Sequence, residues 1–359
     1  MKSNWSFIPL EKFSPPSPPA REAVRTGWRA LWRRFSRPAA GSAQAARGAF
    51  RPPRERPAPS SDHPVPPWDD AVPELAQALS PWPGIDPARG AVCVVVGGPH
   101  GGIQEIVRRL AVREGWRLAD PPSLGEVLSG DARRLEALPG KDEAPIVIAA
   151  LERWFLRHPD GHGLVRGLFD RLHATGMPCL IGCDSWAWAY LDKAMAIGAI
   201  CHAPFAPAPF DANRLRALLD DSFGDEESGG NDHEQEILAA TSRGNPGVAW
   251  AIRHHAAAAA LRETREPEGK FGRAPLEVPA GIGRIESFIL HAMLIHGGVS
   301  AALLPEILDL PAASLSGGAS RLLAAGLIEE SSDILHVTPL AYPAVREFLV
   351  NLGFLADAL

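Results

Sequence analysis

The feature that most constrains the fold is a continuous apolar run followed directly by a glycine-rich turn. Residues 91–96 read Ala-Val-Cys-Val-Val-Val, and residues 97–102 contain four glycines, a proline and a histidine. A helical pattern follows at residues 105–113. An apolar run without alternation is typical of a strand that is covered on both faces. The sequence therefore predicts an α/β domain built around this strand.

The alternation of strands and helices continues to about residue 219. Further strands are predicted at residues 116–119, within 145–152 and 177–185, and at 199–203, and a helix is predicted at 123–138. Helices between successive strands favour a parallel sheet that carries helices on both faces. Residues 90–219 are therefore predicted to form one domain of this class.

The glycine-rich turn has the spacing of a Walker A motif, G-x-x-x-x-G-K-[ST]. The turn contains Gly97, Gly98, Gly101 and Gly102. Ile103 stands at the lysine position and Gln104 at the Ser/Thr position, so neither phosphate charge nor Mg²⁺ meets its usual partner. Backbone amides at the helix N-terminus can still hold an anion weakly. His100 is expected to be a solvent-facing loop residue.

The acidic positions of a Walker B motif are also replaced. Four apolar residues, 145–148, precede Ala149 and Ala150, which stand where two acids are expected. Glu152 is the nearest carboxylate and is expected to belong to the following loop or helix rather than to take over. Asp184 and Ser185 follow the next strand, where a polar side chain normally orients the attacking water. A carboxylate there would repel phosphate.

Two smaller units are predicted after the sheet. Residues 220–270 are predicted to form a helical lid that contains the string Ser-Arg-Gly-Asn-Pro-Gly at 242–247. Within it, Arg243, Gly244 and Pro246 are candidate nucleotide contacts, and Gly247 stands where an arginine would reach phosphate. Residues 283–354 are predicted to form a winged helix, with helices at 285–296, 300–308 and 312–325 and a hairpin at 327–337.

Taken in order, these motifs resemble the AAA+ and STAND-like P-loop ATPases. The order of P-loop, Walker B, sensor 1, Gly-Asn-Pro lid and winged helix is similar to that of Holliday-junction branch-migration motors and archaeal replication initiators. The resemblance covers about residues 90–354 and implies a helical lid and an AAA+-type parallel sheet in which the first, fourth and fifth predicted strands lie side by side. The departures from the pattern all remove groups that touch phosphate, metal or water: Ile103, Gln104, Ala149, Ala150 and Gly247.

These replacements predict a pseudo-ATPase that serves as a regulatory or scaffold protein through protein contacts. The alternative is a switch that binds ATP or ADP weakly and without metal, and an active ATPase is the third interpretation. No cofactor or metal is required by the first interpretation, and an oligomer is compatible with it. The third helix of the winged helix carries one basic residue, Arg321, and the wing carries Glu329, Glu330 and Asp333. This composition argues against nucleic-acid binding through that face.

The N-terminal region, residues 1–89, has a different composition. Residues 1–90 hold 17 of the 35 prolines, and residues 1–60 hold 12 of the 36 Lys and Arg but 3 of the 42 Asp and Glu. Proline fixes φ and removes a donor, so this region is predicted to be a largely disordered tail without a core. Residues 20–36 are an exception, with apolar residues at helical spacing: Val24, Trp28, Leu31, Trp32 and Phe35. Arginines fill the other face.

That amphipathic helix can dock into a protein partner, pack on its own acidic domain, or lie on an anionic membrane or nucleic acid. Four cysteines in apolar stretches, Cys93, Cys179, Cys183 and Cys201, indicate buried thiols in a reducing compartment. Zinc binding by these residues is the less simple explanation. The sequence shows neither a signal-peptide pattern nor a transmembrane run, so we expect a cytoplasmic protein, with peripheral contact at the inner membrane face as an option through residues 20–36.

Overall fold

The computed structural model describes residues 4–18, 66–80, 92–136, 138, 144–223, 232–262 and 277–359. The predicted amphipathic helix at residues 20–36, with Trp28 and Trp32, lies outside the described residues. Parts of the predicted lid, residues 224–231 and 263–270, also lie outside them. Among the described residues, none of the helices combines the length and apolarity that crossing a bilayer would require.

A six-stranded sheet lies at the centre of the fold. Its strands are β1 (Phe7–Pro9), β2 (Val92–Gly97), β3 (Arg117–Leu118), β4 (Ile146–Ile148), β5 (Cys179–Asp184) and β6 (His202–Pro207). They are arranged in the order β1-β6-β2-β5-β4-β3, and all neighbours are parallel except β1 and β6. The parallel α/β sheet predicted from the sequence is confirmed. The last predicted strand, placed at 199–203, in fact runs from His202 to Pro207.

The central strand β2 feeds two separate cores because successive side chains point to opposite faces of a sheet. Val94 and Val96 pack into one core with Ile181 of β5. Cys93 and Val95 pack into the other with neighbouring apolar side chains. All six residues of β2 are buried, as the unbroken apolar run predicts.

Helices cover both faces of this sheet. They are α1 (Ala71–Leu79), α2 (Ile103–Glu114), α3 (Leu124–Ser129), α4 (Ala132–Glu136), α5 (Gly163–Thr175) and α6 (Ser185–Met195). The single helix predicted at 123–138 is wrong, because two short helices stand there. Ser123 and Glu126 form a capping box at the start of α3. The helix ends at Gly130, whose φ of 61° lies in the left-handed region that favours glycine.

The helices beyond the sheet are α7 (Ala212–Phe223), α8 (Asp232–Thr241) and α9 (Pro246–Arg262). The C-terminal unit contains α10 (Arg284–His296), α11 (Leu304–Leu308), α12 (Ala312–Ala324), β7 (Ile328–Ser331), β8 (Ile334–Val337) and α13 (Tyr342–Asn351). Three helices followed by an antiparallel hairpin form the winged helix that the sequence predicts. Residues 352–359 continue past α13 and return to the sheet domain.

The expectation that residues 1–89 supply no core is wrong for two segments. Trp5, which is 3% exposed, and Trp68, which is 5% exposed, are buried beside Phe210. Trp5 meets both rings edge-on, at centroid distances of 5.9 Å to Trp68 and 4.9 Å to Phe210. The guanidinium of Arg214 lies over the Phe210 ring and donates two hydrogen bonds, of 2.8 and 2.6 Å, to the Asn4 carbonyl oxygen. Burial of the two tryptophan rings therefore holds these segments against the sheet domain, although their proline-rich composition predicts a disordered tail.

Candidate functional site

The glycine-rich turn connects β2 to α2 with a tightly folded backbone. The Gly101 N–H donates to the Gly98 carbonyl oxygen over 2.9 Å. A Cβ on Gly97 would lie 2.6 Å from the Cβ of Ile103, so the strand cannot pass the helix with a larger residue there. Gly102 has a φ of 74°, and a Cβ on it would lie 2.5 Å from the Trp68 ring. The glycines therefore meet requirements of backbone geometry whether or not a ligand binds.

Ile103 and Gln104, which replace the lysine and hydroxyl residues, do not face the same surroundings. Ile103 is buried in the core that contains Val95 and Leu110. The side-chain amide of Gln104 donates a hydrogen bond to Oε1 of Glu152. Ile103, at the lysine position of the motif, is thus part of the apolar core. Gln104, at the Ser/Thr position, is hydrogen-bonded to the carboxyl group of Glu152.

Glu152 occupies a short 3₁₀ helix, Leu151–Arg153, just after β4. Its place in the following helix agrees with the sequence prediction, whereas its contact with the P-loop was not predicted. It is 1% exposed, and its Oε2 accepts a 3.2 Å hydrogen bond from the N–H of Asp184. Burial raises the pKa of Glu152 to about 7, although hydrogen bonds from Asp184 and Gln104 act in the opposite direction. Ala149 and Ala150 are buried beside it.

Asp184 lies at the end of β5, where it caps α6. Its Oδ1 accepts a 2.9 Å hydrogen bond from the Trp186 N–H. Burial, and next the nearby Glu152 carboxylate, raise the pKa of Asp184 well above its ordinary value. Ser185 donates over 2.5 Å to the carboxylate of Asp357, a residue from the end of the chain. These two residues therefore cap a helix and hold the C-terminal segment.

The lid contacts the P-loop through backbone as well as side chains. Nδ2 of Asn245 donates to the Pro99 carbonyl oxygen over 2.8 Å, and Oδ1 of Asn245 accepts from the Gly247 N–H over 3.0 Å. A Cβ on Gly247 would lie 1.9 Å from the carbonyl oxygen of His100. The position at which the resembled motors carry an arginine therefore has no room for a side chain in this arrangement.

His100 is not the solvent-facing loop residue that the sequence suggests. Its φ is 65°, its Nε2 atom is buried, and its ring meets Tyr342 of the winged helix edge-on at 6.1 Å. Burial lowers the pKa of His100 to about 4, while a backbone hydrogen bond with Val337 acts in the opposite direction. The P-loop is thus in direct contact with the winged helix.

A cavity of about 40 Å³ remains between the P-loop, the lid and the winged helix. Its lining includes six of the residues predicted from sequence: Gly97, Gly98, Gly101, Arg243, Gly244 and Pro246. Gly102, Ile103, Gln104 and Asp184 do not line it. Leu359 and Tyr342 also line it, and Nε of Arg243 donates to the Leu359 carbonyl oxygen over 2.8 Å. Pockets for small molecules are usually about 300–1,000 Å³, so this space suits a few waters.

The winged helix also covers the Gln104–Glu152 pair. A Cβ on Gly297, which follows α10, would lie 3.4 Å from Cγ of Glu152. Next to it, Nε2 of His296 accepts a 3.3 Å hydrogen bond from the Arg157 N–H. Burial lowers the pKa of His296 to about 3. The pair is therefore enclosed between the sheet domain and the winged helix.

Among the described residues, no group of three or more His, Cys, Asp and Glu side chains is placed to hold a metal ion. Cys93, Cys179, Cys183 and Cys201 are free and buried. Burial raises the pKa of the Cys93 and Cys201 thiols to about 12, so they are protonated at neutral pH.

The strand order decides the fold. The strand before the P-loop lies between the strands that end at Asp184 and Pro207, as the AAA+ resemblance predicts. The glycine-rich turn follows that strand, and the lid string Arg243-Gly244-Asn245-Pro246 closes on it. The chain has an AAA+-type P-loop fold followed by a winged helix.

Several solved structures match this chain at low sequence identity. The RuvB Holliday junction branch migration motor of Thermotoga maritima is 16% identical, with 82% of this chain and 99% of that chain covered and a TM-score of 0.36. A Walker-type ATPase, PABY2304 of Pyrococcus abyssi, is 15% identical, with 81% and 98% covered and a TM-score of 0.39. Cdc6p of Pyrobaculum aerophilum is 14% identical, with 83% and 97% covered and a TM-score of 0.34.

Comparison with protein-family profiles finds no match. Comparison with curated protein sequences also finds none.

Several residues of this site were not predicted from the sequence. Trp68, Tyr342, Asp357 and Leu359 reach the P-loop region from the N-terminal segment and from the end of the winged helix. Asp357 and Ser185 are 172 positions apart, and no spacing pattern connects residues at such a distance.

Proposed function

We propose that this chain is a non-catalytic, AAA+-like regulatory or scaffold protein that acts through protein contacts. The bond between Gln104 and Glu152 carries the proposal. It links the residue at the Mg²⁺-binding position of the P-loop to a buried carboxyl group. An internal partner for both groups takes the place of the metal that an ATPase would bind there.

The charge balance of the site supports the same conclusion. Hydrolysis of ATP needs cations at the β- and γ-phosphates, and electrostatic stabilisation is usually the largest catalytic contribution. Ile103 supplies no charge, and Ala149 supplies no metal ligand. Two buried carboxyl groups, those of Glu152 and Asp184, lie beside the P-loop helix instead. These two groups supply no cation to a triphosphate.

The contact between the lid and the P-loop also supports a non-catalytic role. The backbone of Gly247 lies so near the His100 carbonyl oxygen that an arginine at 247 would require the lid to move. The lid therefore packs on the P-loop as a structural contact, without a cation that reaches phosphate from that position.

The test is an ATPase assay on the purified chain with Mg²⁺, compared with the Glu152→Gln variant. We expect no turnover above background from either protein. Glu152→Gln keeps an oxygen for the Asp184 N–H and removes the carboxylate, so it separates site chemistry from contamination. Glu347→Gln, at an exposed position, is the matched control. Turnover that disappears in Glu152→Gln and persists in Glu347→Gln would contradict the proposal.

The alternative function is a switch that binds ATP or ADP without metal. It is favoured by the cavity that six of the predicted residues line, among them three P-loop glycines and Arg243. We expect a dissociation constant in the millimolar range or weaker, about 4 kcal/mol of binding free energy at most. Because stabilisation follows RT ln(1 + [L]/Kd), roughly 1 mM nucleotide should hardly change thermal unfolding. A shift of several degrees at micromolar ATP would favour the switch.

Charges on the winged helix support protein contacts over nucleic-acid contacts. Nε of Arg321 on α12 donates a 2.7 Å hydrogen bond to Oε1 of the buried Glu286. That cation is therefore engaged within the domain. Glu329, Glu330 and Asp333 give the wing a negative charge. We expect no binding of duplex DNA at micromolar protein in 150 mM salt by fluorescence anisotropy, and salt-dependent binding lost in Arg321→Ala would contradict this.

A further inference from the structure

Residues 354–359, named here the closing segment, run from the end of the winged helix into the space beside the P-loop. Phe354 packs edge-on against Phe288 of α10 at 5.6 Å, and the Leu355 carbonyl oxygen lies 3.0 Å from Nε2 of His291. Leu359, at the far end, is 7% exposed and lines the cavity with Gly97 and Gly98. The segment is thus anchored at one end on the winged helix and at the other in the candidate nucleotide site.

Asp357 is the polar centre of this segment. Its Oδ2 accepts hydrogen bonds from Oγ of Ser185 over 2.5 Å and from the Tyr342 hydroxyl over 3.4 Å. Its Oδ1 pairs with Nε of Arg346 over 2.9 Å, and a further Arg346 nitrogen donates to the Asp357 carbonyl oxygen over 3.1 Å. The Asp357 side chain is fully buried. A buried carboxylate with a guanidinium and two hydroxyl donors is a complete anion site.

The donors to the closing segment come from three parts of the chain. Ser185 begins α6, Arg243 lies in the lid string, and Tyr342 and Arg346 stand on α13 of the winged helix. Arg243 donates to Leu359, two residues beyond Asp357. The same group of cations and hydroxyls therefore surrounds the closing segment from three sides.

We propose that the closing segment is a built-in occupant of the P-loop pocket: Leu359 fills the space beside the P-loop glycines, and Asp357 anchors the segment through Arg346 and Ser185. The inference rests on the same site as the proposed function and adds how the site is kept closed. An external anion at the P-loop glycines and the closing segment exclude each other, because Leu359 lines that space and its main-chain oxygen engages Arg243. Release of the segment would open the pocket and free residues 354–359 together.

The test uses the full chain with Leu359→Cys as a reporter of opening, because Leu359 is buried and the four native cysteines are buried as well. Maleimide labelling of the new thiol measures how often the segment leaves the pocket. Binding of inorganic tripolyphosphate, measured by calorimetry without metal, reports whether the freed cations accept an anion.

Two variants break the same ion pair with opposite consequences for anion binding. Asp357→Asn releases the segment and leaves Arg243 free, whereas Asp357→Asn combined with Arg243→Gln releases the segment and removes the cation that lines the pocket. We expect labelling to become at least ten-fold faster in both. Tripolyphosphate should bind at least ten-fold more tightly to Asp357→Asn than to the natural chain, with no gain in the double variant. Equal affinities of the two variants, or unchanged labelling in Asp357→Asn, would overturn the proposal.

A milder variant keeps the proposal testable where a broken ion pair prevents folding. Ser185→Ala removes a single hydrogen bond to Asp357 and should accelerate labelling about two- to ten-fold, as expected for the loss of one hydrogen bond. Unchanged labelling in Ser185→Ala would overturn the proposal by itself. ATP hydrolysis by the natural chain would contradict the proposed function and leave these labelling results intact.

Discussion

Gln104 donates its side-chain amide to Glu152, although 48 positions separate the two residues in the sequence. Gln104 stands in the first turn of the helix after the P-loop, and Glu152 stands just beyond the neighbouring strand β4. In a P-loop ATPase these two regions meet at Mg²⁺. Here an amide and a carboxyl group meet directly, and the winged helix covers them through Gly297. The two side chains thus satisfy each other at the start of the P-loop helix.

The buried Glu152 carboxyl predicts a distinctive pH dependence. Its pKa is raised from 4.5 to about 7. The folded chain therefore retains a proton that the unfolded chain releases between pH 4.5 and 7, and stability falls as the pH rises through that window. A shift of this size corresponds to about 3 kcal/mol, at 1.36 kcal/mol per pH unit. Glu152→Gln should match the natural chain near pH 4.5 and be more stable above pH 7.

Urea unfolding at pH 4.5, 6 and 8 measures this difference. Glu347→Gln changes an exposed glutamate and should show no such dependence. A stability difference between Glu152→Gln and the natural chain that stays constant with pH would show that Glu152 titrates normally.

For the histidines between the sheet domain and the winged helix, we expect the opposite trend: stability falls as the pH is lowered. Burial lowers the pKa of His291 to about 4 and that of His296 to about 3, from 6.5. Below pH 6.5 these two histidines bind protons in the unfolded chain but stay neutral in the folded chain. Their contribution to the free energy of unfolding is therefore complete above pH 6.5 and is lost as the pH falls toward 4.

His291→Gln isolates one of these histidines. Glutamine can still donate to the Leu355 carbonyl oxygen, which lies 3.0 Å from Nε2 of His291, but it does not titrate. The slope of unfolding free energy against pH between 6.5 and 4 should decrease by close to one proton. An unchanged slope would place the acid sensitivity elsewhere in the chain.

Much of the sheet was predictable because its signals are local. The apolar runs at residues 91–96 and 145–148 identify two buried parallel strands by composition alone. The last strand was displaced by three residues because His202–Pro207 contains two prolines and carries a weaker apolar pattern. The closed P-loop was not predictable, since Asp357 and Trp68 approach it from distant positions. Proline-rich composition also concealed the burial of Trp5.

Gly102 should be intolerant of a side chain for a reason that Gly115 does not share. Both have left-handed φ angles, 74° and 68°. A Cβ on Gly102 would meet the Trp68 ring at 2.5 Å, whereas a Cβ on Gly115 would meet no atom within 4 Å. Gly115→Ala should cost about 1 kcal/mol of unfolding free energy and Gly102→Ala about 2–5 kcal/mol, because overlap adds to backbone strain. Equal costs would show that Trp68 moves away freely.

The N-terminal segment that contains Trp5 should contribute to the stability of the sheet domain. Trp5→Ala removes a buried ring that contacts Trp68 and Phe210, and large aromatic truncations in cores cost about 3–5 kcal/mol. Leu124→Ala, at a side chain that is 45% exposed, is the control and should cost about 1 kcal/mol or less. Denaturant unfolding of both variants measures the difference. A small cost for Trp5→Ala would restore the view of residues 1–18 as a dispensable tail.

We expect two features of the chain to oppose nucleotide binding: the replaced P-loop residues and the closing segment. Ile103→Lys, Gln104→Thr and Ala149→Asp together restore a phosphate cation, a hydroxyl ligand and a metal-binding acid. The cavity of about 40 Å³ stays closed as long as residues 354–359 occupy it, so the triple variant alone should bind Mg²⁺-ATP poorly. Adding Asp357→Asn should raise its affinity at least ten-fold, measured by calorimetry with Mg²⁺ and again with a chelator. Equal binding by the triple and quadruple variants would show that the closing segment offers no barrier. Loss of all binding in both would mean that the P-loop backbone itself no longer accepts a triphosphate.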